Sequence, residues 1–379
     1  MDHRDLVVVG GSAGAVDALI RLVAEVPADL PAAVLIVVHF PADSTSRLPA
    51  ILGRAGRLPA RHATDNEEIR TGEIVVAPPD FHLTVSDGRM RVTRGPRENL
   101  HRPAVDPLFR SAALARGAGV VGVILSGALD DGATGLRTVR EAGGVAVVQD
   151  PADAIVPSMP ASARDLGGAD HILPANEIGR RLPEFLEMSD ADRRRKTKQP
   201  SKTARWETAM TEMDPEAIKA EERPGKPSAF GCPDCGGVLW QIEEAGSAPF
   251  RCRVGHAFTL RTLMAAQDAG LEDSLWAGLR ALEEREALTR RLIERSSGVG
   301  SDLMVDRLQR RADEASRQAE GLRRFLLEQT NAQETDPLGD EVETAFDSPA
   351  RKGRRGQGAA RPAPRHNGGN GTPKPARPS

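Results

Sequence analysis

The chain has few cysteines, no long apolar run and no large excess of charge of either sign. Its 3 cysteines all lie between Cys232 and Cys252, which does not suit a disulfide framework and favours a reducing compartment and a metal site. No apolar run reaches the roughly 18 residues that a membrane span needs, and residues 1–30 lack the pattern of a signal peptide. We therefore expect a cytoplasmic protein without membrane insertion. The formal net charge of −3 excludes a generally basic nucleic-acid binder.

The length of 379 residues predicts more than one domain. Composition changes mark the expected boundaries. We predict a first folded domain over 1–190, a polar linker over 191–228, a zinc-ribbon-like module over 229–262, an amphipathic helical hairpin or coiled coil over 263–332, and a disordered basic tail over 333–379. For the tail, a solvated segment is favoured over contact with nucleic acid.

Short apolar runs alternate with helix-like patterns in the first half of the chain. Leu6–Val9, Val34–Val38 and Val120–Leu125 each precede a helical pattern, which is typical of buried parallel strands. The stretch 82–93 instead predicts an antiparallel hairpin across Asp87-Gly88. The predicted fold class is therefore α/β, a doubly wound, mostly parallel sheet with a hairpin insertion, followed by the small cysteine-bearing module and the α-helical hairpin.

Three polar residues follow predicted strands of this sheet. Ser12 lies in the G-x-S-x-G string Gly10–Gly14, His39 follows the second strand, and Asp131 lies in the loop after Val120–Leu125. Because ligands of open parallel sheets bind beyond the carboxyl ends of the strands, these residues predict a nucleophile, a base and an orienting carboxylate. Taken singly, Ser12 could cap a helix, His39 could be a solvated histidine, and Asp131 could be a turn residue.

Several motifs together resemble the catalytic domain of CheB-type protein-glutamate methylesterases, over about residues 5–188. The matching strings are Val8–Gly14, Val38–Pro41, His101–Asp106, Ser126–Ala133 and Met159-Pro160. The resemblance implies Ser12 as nucleophile, His39 as general base and Asp131 as the residue that orients it. Asp131 is chosen over Asp130 because the family's aspartate precedes Gly-Ala.

The resemblance also implies an activity, hydrolysis of glutamyl methyl esters on chemoreceptors through an acyl-enzyme, with glutamine deamidation as a second reaction and no cofactor for catalysis. The sequence departs from the family at Ala13 and at Ala128-Leu129, which are expected to line the site. No receiver domain precedes the catalytic domain, so control by aspartyl phosphorylation in cis is not expected.

A second constellation lies in the C-terminal half. Cys232-Pro233-Asp234-Cys235 and the later Cys252 and His256 have the spacing of a closed four-ligand site. We predict a structural zinc ion bound by Cys232, Cys235, Cys252 and His256, with unmetallated thiols as the alternative.

Leucines recur at helical spacing between Leu271 and Leu292 and again between Leu303 and Phe325. This pattern predicts two amphipathic helices. The core of a helical hairpin is favoured over a surface for self-association or a signalling partner.

Other functions stay open on the sequence alone. A dinucleotide-binding domain is disfavoured because Ser12 stands where G-x-G-x-x-G has its second glycine, and because His39 follows the second strand in place of an acidic residue. The main alternative is a non-catalytic chemosensory signalling adaptor with an esterase-like fold. An esterase of small esters is a third reading.

Overall fold

The computed structural model describes residues 3–188, 201–243, 249–296 and 302–333. In the first of these ranges the chain forms nine strands: β1 (Leu6–Gly11), β2 (Ala33–Val38), β3 (Ala60–His62), β4 (Ile74–Val76), β5 (His82–Ser86), β6 (Arg89–Thr93), β7 (Val120–Ile124), β8 (Val145–Gln149) and β9 (His171–Leu173). Seven of them form one sheet in the order β3-β4-β2-β1-β7-β8-β9, and every pair in it is parallel. Strand β1 therefore lies in the middle, between β2 and β7.

Helices connect the strands: α1 (Ala15–Glu25), α2 (Leu48–Ala55), α3 (Val105–Arg116), α4 (Ala133–Glu141), α5 (Ser158–Ser162) and α6 (Ala175–Leu186), with a 3-10 turn at Gly117–Gly119 and a π turn at Ala163–Gly167. All residues of β1 are buried, so its side chains feed a core on each face of the sheet. Val7 and Val9 pack with α1, α2 and α6 on one face. Leu6 and Val8 pack with α3 and α4 on the other.

Helices on both faces of a parallel sheet confirm the predicted doubly wound α/β class. The predicted hairpin is also present, since β5 and β6 pair antiparallel from His82↔Thr93 to Ser86↔Arg89. Its turn uses Asp87 and Gly88, both with positive φ, which is the conformation that a tight two-residue hairpin turn requires. Two of its buried residues, Leu83 and Val85, join the core on the α3 and α4 face.

Part of the segment predicted as a polar linker is helical. It contains α7 (Lys202–Thr211) and the short α8 (Pro215–Lys219), and Ser201 caps α7 by accepting the N–H of Ala204. The face that α7 buries is mostly polar, with Glu207 and Thr211 fully buried beside Met210, so an apolar pattern does not reveal it. Residues 189–200 of the predicted linker lie outside the described residues.

The C-terminal module begins with a small antiparallel sheet, β10 (Lys226–Gly231), β11 (Val238–Gln241), β12 (Phe250–Cys252) and β13 (Ala257–Phe258). Two long helices follow, α9 (Leu260–Ser296) and α10 (Asp302–Gln333). They pack against each other through Leu279, Ala319 and Leu326, with Leu275 and Leu322 beside them. The two helices predicted from the leucine spacing are therefore present, and they pack against each other. The predicted basic tail lies outside the described residues, apart from Gln333.

None of the helices in the described part of the chain is both long and apolar enough to cross a membrane.

Candidate active site at the carboxyl edge of the sheet

Ser12 and His39 are neighbours at the end of two paired strands. The register of β1 and β2 ends with Gly11 opposite Val38, so the next residue on each strand is Ser12 and His39. The backbone N–H of His39 donates to the carbonyl of Gly11 at 3.3 Å. On the other side, the N–H of Ser12 donates to the carbonyl of Ser126, just after β7, at 2.9 Å. Ser12 is thus fixed between the ends of β2 and β7.

The turn after Ser12 leaves its hydroxyl uninvolved in capping. Helix α1 has Gly14 at its N-cap position, with φ of 76° and no side-chain cap. A residue with a Cβ is strained at this φ, which explains the second glycine of the G-x-S-x-G string. The interpretation of Ser12 as a helix cap therefore does not hold. The positive end of the α1 dipole begins next to Ser12, where it favours developing negative charge.

His39 is bound to Asp131. Its Nε2 lies 2.8 Å from Oδ2 of Asp131, and the two side chains are 4% and 2% exposed. The other ring nitrogen, Nδ1, is buried and has no hydrogen-bond partner among the described residues. A hydrogen bond from Nε2–H to the carboxylate would leave Nδ1 as the nitrogen that accepts a proton.

The side chain of Asp131, which precedes α4 in the chain, contacts the N-terminus of α3. Its Oδ2 accepts the N–H of Val105 at 2.6 Å, and its Oδ1 accepts the N–H of Asp106 at 3.2 Å and the side-chain amide of Asn99 at 2.8 Å. Burial raises the pKa of Asp131, but the hydrogen bond and charge of His39, with these N–H donors, outweigh it and keep the pKa below its ordinary value. The neighbouring Asp130 instead accepts a hydrogen bond from the hydroxyl of Thr259 at 2.8 Å.

A second buried carboxyl, Asp106, is close to Asp131. Asn99 Nδ2 donates to Asp106 Oδ2 at 2.9 Å, and the N–H of Gly135 donates to Asp106 Oδ1 at 2.6 Å. Burial and then the charge of Asp131 raise the pKa of Asp106 to about 8. The shifts are in opposite directions, so the negative charge of this pair is favoured on Asp131 over Asp106.

Two further histidines surround this group, and neither was assigned a role from the sequence. His101 stacks on His39, with ring centroids 3.7 Å apart and ring planes 15° apart. Burial, and then the positive charge that His39 can acquire, hold the pKa of His101 well below its ordinary value, so it stays neutral. His82 is fully buried and ties the loop 96–104 together, because its ring nitrogens contact the carbonyl of Pro96 and the N–H of Ala104.

The loop after β7 forms the opposite wall. A Cβ on Gly127 would lie 2.9 Å from the Cβ of Ser12, so only glycine permits this approach. Ala128 and Leu129 follow and are buried against Ala265 of α9. The C-terminal module therefore packs on the loop where this sequence departs from the resembled family.

The four predicted metal ligands converge in the C-terminal module. The Sγ atoms of Cys232 and Cys252 lie 3.7 and 3.6 Å from Nδ1 of His256, and those of Cys235 and Cys252 are 3.7 Å apart. All four ligand atoms lie within 4.8 Å of one another. Tetrahedral zinc with Zn–S bonds of about 2.3 Å puts two sulfurs about 3.8 Å apart, so the geometry fits zinc.

The structure thus places a serine, a histidine and a buried carboxylate at the carboxyl edge of an open parallel sheet, which is the edge where ligands of such α/β proteins bind. The family model described as CheB methylesterase matches residues 7–182. This matched part, which is less than half of the chain, is similar to the CheB methylesterase family.

Curated relatives are similar to a stretch of about the same length. The protein-glutamate methylesterase/protein-glutamine glutaminase 2 of Xanthomonas oryzae pv. oryzae (strain MAFF 311018) is 41% identical over 181 residues, covering 47% of this chain and 50% of the relative. The protein-glutamate methylesterase/protein-glutamine glutaminase 3 of Anaeromyxobacter dehalogenans (strain 2CP-C) is 45% identical over 183 residues. The match covers 48% of this chain and 54% of the relative. The chain spans about half the length of these curated relatives.

A solved structure, the Thermotoga maritima CheB methylesterase catalytic domain, is 32% identical. The match has a TM-score of 0.47 and covers 48% of this chain and 99% of that one.

Proposed function

We propose that this protein is a protein-glutamate methylesterase that hydrolyses glutamyl methyl esters on chemoreceptors, with glutamine deamidation as a second reaction. The observation that supports it most is the pairing of Ser12 beside His39 on adjacent strand ends, with His39 hydrogen-bonded to Asp131 at 2.8 Å. The names of the relatives supply the substrate class. We place the protein in the cytoplasm, where both the methylated part of a chemoreceptor and the reduced cysteines of this chain would be found.

The reaction follows from the roles of the three side chains. His39 takes the proton of Ser12 on Nδ1, and the Ser12 oxygen attacks the ester carbonyl. Asp131 holds the ring and stabilises the imidazolium. Methanol leaves with the proton from His39, and water then attacks the acyl-serine, again with His39 as base, to give glutamate and free Ser12. A glutamine substrate gives the same acyl-enzyme with ammonia as the leaving group, and no cofactor is needed.

Methanol release from methylated chemoreceptor membranes tests the proposal. We expect wild-type protein to release methanol at a rate proportional to its concentration, and heat-denatured protein to release none. Folded protein that releases none would contradict the proposal and favour the alternative of a non-catalytic signalling adaptor. Hydrolysis of p-nitrophenyl esters without any action on the membranes would instead indicate an esterase of small esters.

We propose a structural zinc ion bound by Cys232, Cys235, Cys252 and His256. Four ligands close a tetrahedral site, so the ion would have no open position for catalysis. It would stabilise a module whose own core is small, built from Leu239, Phe250, Phe258 and Leu263 around the two buried cysteines.

Replacement of one ligand tests the zinc site. We expect wild-type protein to contain one zinc per chain by elemental analysis, and Cys232→Ser to lose it, because a hydroxyl is a much poorer zinc ligand than a thiolate. Pro233→Ser is the matched control, since it changes the same turn without a ligand atom, and it should retain the metal. Equal zinc content in Cys232→Ser and wild type would overturn the site.

The paired helices α9 and α10 are also the proposed place for self-association or a signalling partner. Exposed apolar side chains remain on them after they have packed together, among them Leu271, Leu288, Leu292, Leu303 and Phe325.

A further inference from the structure

The C-terminal module pairs with the catalytic domain through backbone hydrogen bonds. The N–H of Asn99 donates to the carbonyl of Ala257 at 2.8 Å, and the N–H of Ala257 donates to the carbonyl of Arg97 at 3.2 Å. Residues 97–99 thus continue the module's sheet beside β13, in parallel orientation. This segment of the catalytic domain is consequently placed by the module as well as by its own domain.

A side-chain contact joins the same two parts at the start of α9. Thr259 caps this helix, because its hydroxyl accepts the N–H of Thr262 at 3.0 Å while the Thr262 hydroxyl accepts the N–H of Thr259 at 2.9 Å. This is the reciprocal arrangement of a capping box, with threonine in the place of glutamate. The same Thr259 reaches across the interface. Its N–H donates to Asn99 Oδ1 at 3.1 Å and its hydroxyl donates to Asp130 Oδ1 at 2.8 Å.

Asn99 connects this cap to the carboxylate beside His39. Its carbonyl oxygen faces Thr259, and its amide nitrogen donates to both Asp131 Oδ1 and Asp106 Oδ2. Asn99 is 1% exposed and has a φ of 51°, a left-handed conformation that asparagine and glycine tolerate best. The side chain therefore has all its hydrogen-bonding atoms occupied, and its orientation is fixed at both ends.

We propose that Asn99 and Thr259 are positioning residues through which the C-terminal module holds Asp131 against His39, so that full esterase activity depends on the docked module. The inference rests on the proposed esterase function. Thr259 hydrogen-bonds to two residues beside the Asp131 carboxylate. One is Asn99, which itself donates to Asp131, and the other is Asp130, which precedes Asp131 in the chain. The N–H groups of Val105 and Asp106 also hold Asp131, so loss of either contact should loosen the carboxylate rather than release it, and the orientation of His39 should become less well defined.

Two substitutions with matched controls test this role. Asn99→Gly keeps the left-handed turn and removes the side chain. We expect kcat to fall about 10²-fold with KM changed less than about twofold, because misorientation of the base acts on the chemical step.

Thr259→Val keeps the shape of the side chain and removes the hydroxyl, and kcat should fall about three- to tenfold, as for the loss of one hydrogen bond. Thr259→Ser should restore it. Thr289→Val, the same change farther along α9 where the hydroxyl bonds to Arg285 of the same helix, should match wild type.

A substrate-independent measurement separates this inference from the proposed function. In protein labelled with ¹⁵N-histidine, the proton between His39 Nε2 and Asp131 should give a downfield NMR signal that is absent in His39→Gln. We expect the signal to shift or broaden in Asn99→Gly and Thr259→Val and to stay unchanged in Thr289→Val. A signal that is unchanged in both Asn99→Gly and Thr259→Val would overturn the positioning role. A kcat within twofold of wild type in both variants would overturn it as well. Wild-type protein that releases no methanol would overturn the proposed function, and the signal would then decide the positioning role alone.

Discussion

Replacement of Ser12 by alanine should lower methanol release by about 10⁴-fold or more, to the background of the membranes. The reason is chemical, since the variant has no side-chain oxygen to form the acyl-enzyme. The loss should be in kcat. The fold should be unaffected, because Ser12 is held by its backbone N–H bond to Ser126 and does not cap α1.

Ser44→Ala is the matched control for this variant. Ser44 lies in the loop after β2, on the same edge of the sheet, and its hydroxyl donates to the carbonyl of Pro41 at 2.7 Å. It should retain wild-type activity. If Ser12→Ala released methanol at the wild-type rate, a nucleophile other than Ser12 would be required, and His39 with Asp131 would be activating water directly.

The arrangement around Ser12 could be predicted because it depends on local sequence. Continuous apolar runs fix β1, β2 and β7 as buried strands, and the carboxyl ends of adjacent parallel strands necessarily meet at one edge. A polar residue directly after each strand must then lie at that edge. The closeness of His39 to Ser12 follows from this register. The choice of Asp131 over Asp130 came from the family motif, and in the structure Asp131 is the one bonded to His39.

The docking of the C-terminal module could not be predicted in the same way. Glu98 and Arg251 are 153 positions apart, and no periodicity links two single charges at such a separation. Helix α7 was missed for a related reason, because most of its buried side chains are polar, namely Glu207 and three threonines. Asn99 was missed because one asparagine in a polar loop has no pattern of its own.

Replacement of Arg251 by leucine should destabilise the protein by about 3–5 kcal/mol, because it breaks a buried charge network at the module interface. Arg251 donates to both carboxylate oxygens of Glu98, at 3.2 and 3.0 Å, and to Glu207 at 3.2 Å. Arg110 of α3 also donates to Glu98, at 3.0 Å. All four side chains are at most 1% exposed, so without Arg251 two carboxylates would share one buried cation.

Urea unfolding of Arg251→Leu, compared with Arg253→Leu, measures this effect. Arg253 is exposed and lies two residues further along the chain, so its replacement should change stability by less than about 0.5 kcal/mol. Equal stability of the two variants would show that the network adds nothing to docking. A selective loss in Arg251→Leu would show that the charges hold the module on the segment that contains Asn99.

The pH dependence gives the same network a second signature. Burial raises the pKa of Glu98, but the charges of Arg110 and Arg251 outweigh it and hold the pKa well below the ordinary value of 4.5. A carboxyl with a depressed folded-state pKa stabilises the fold fully at neutral pH, and this contribution is lost as the pH falls below the ordinary pKa. In Arg251→Leu the depression is smaller, so less stability remains to be lost in acid. The difference between wild type and variant should therefore be largest near pH 7 and narrow below about pH 4, whereas a packing defect alone would keep it constant.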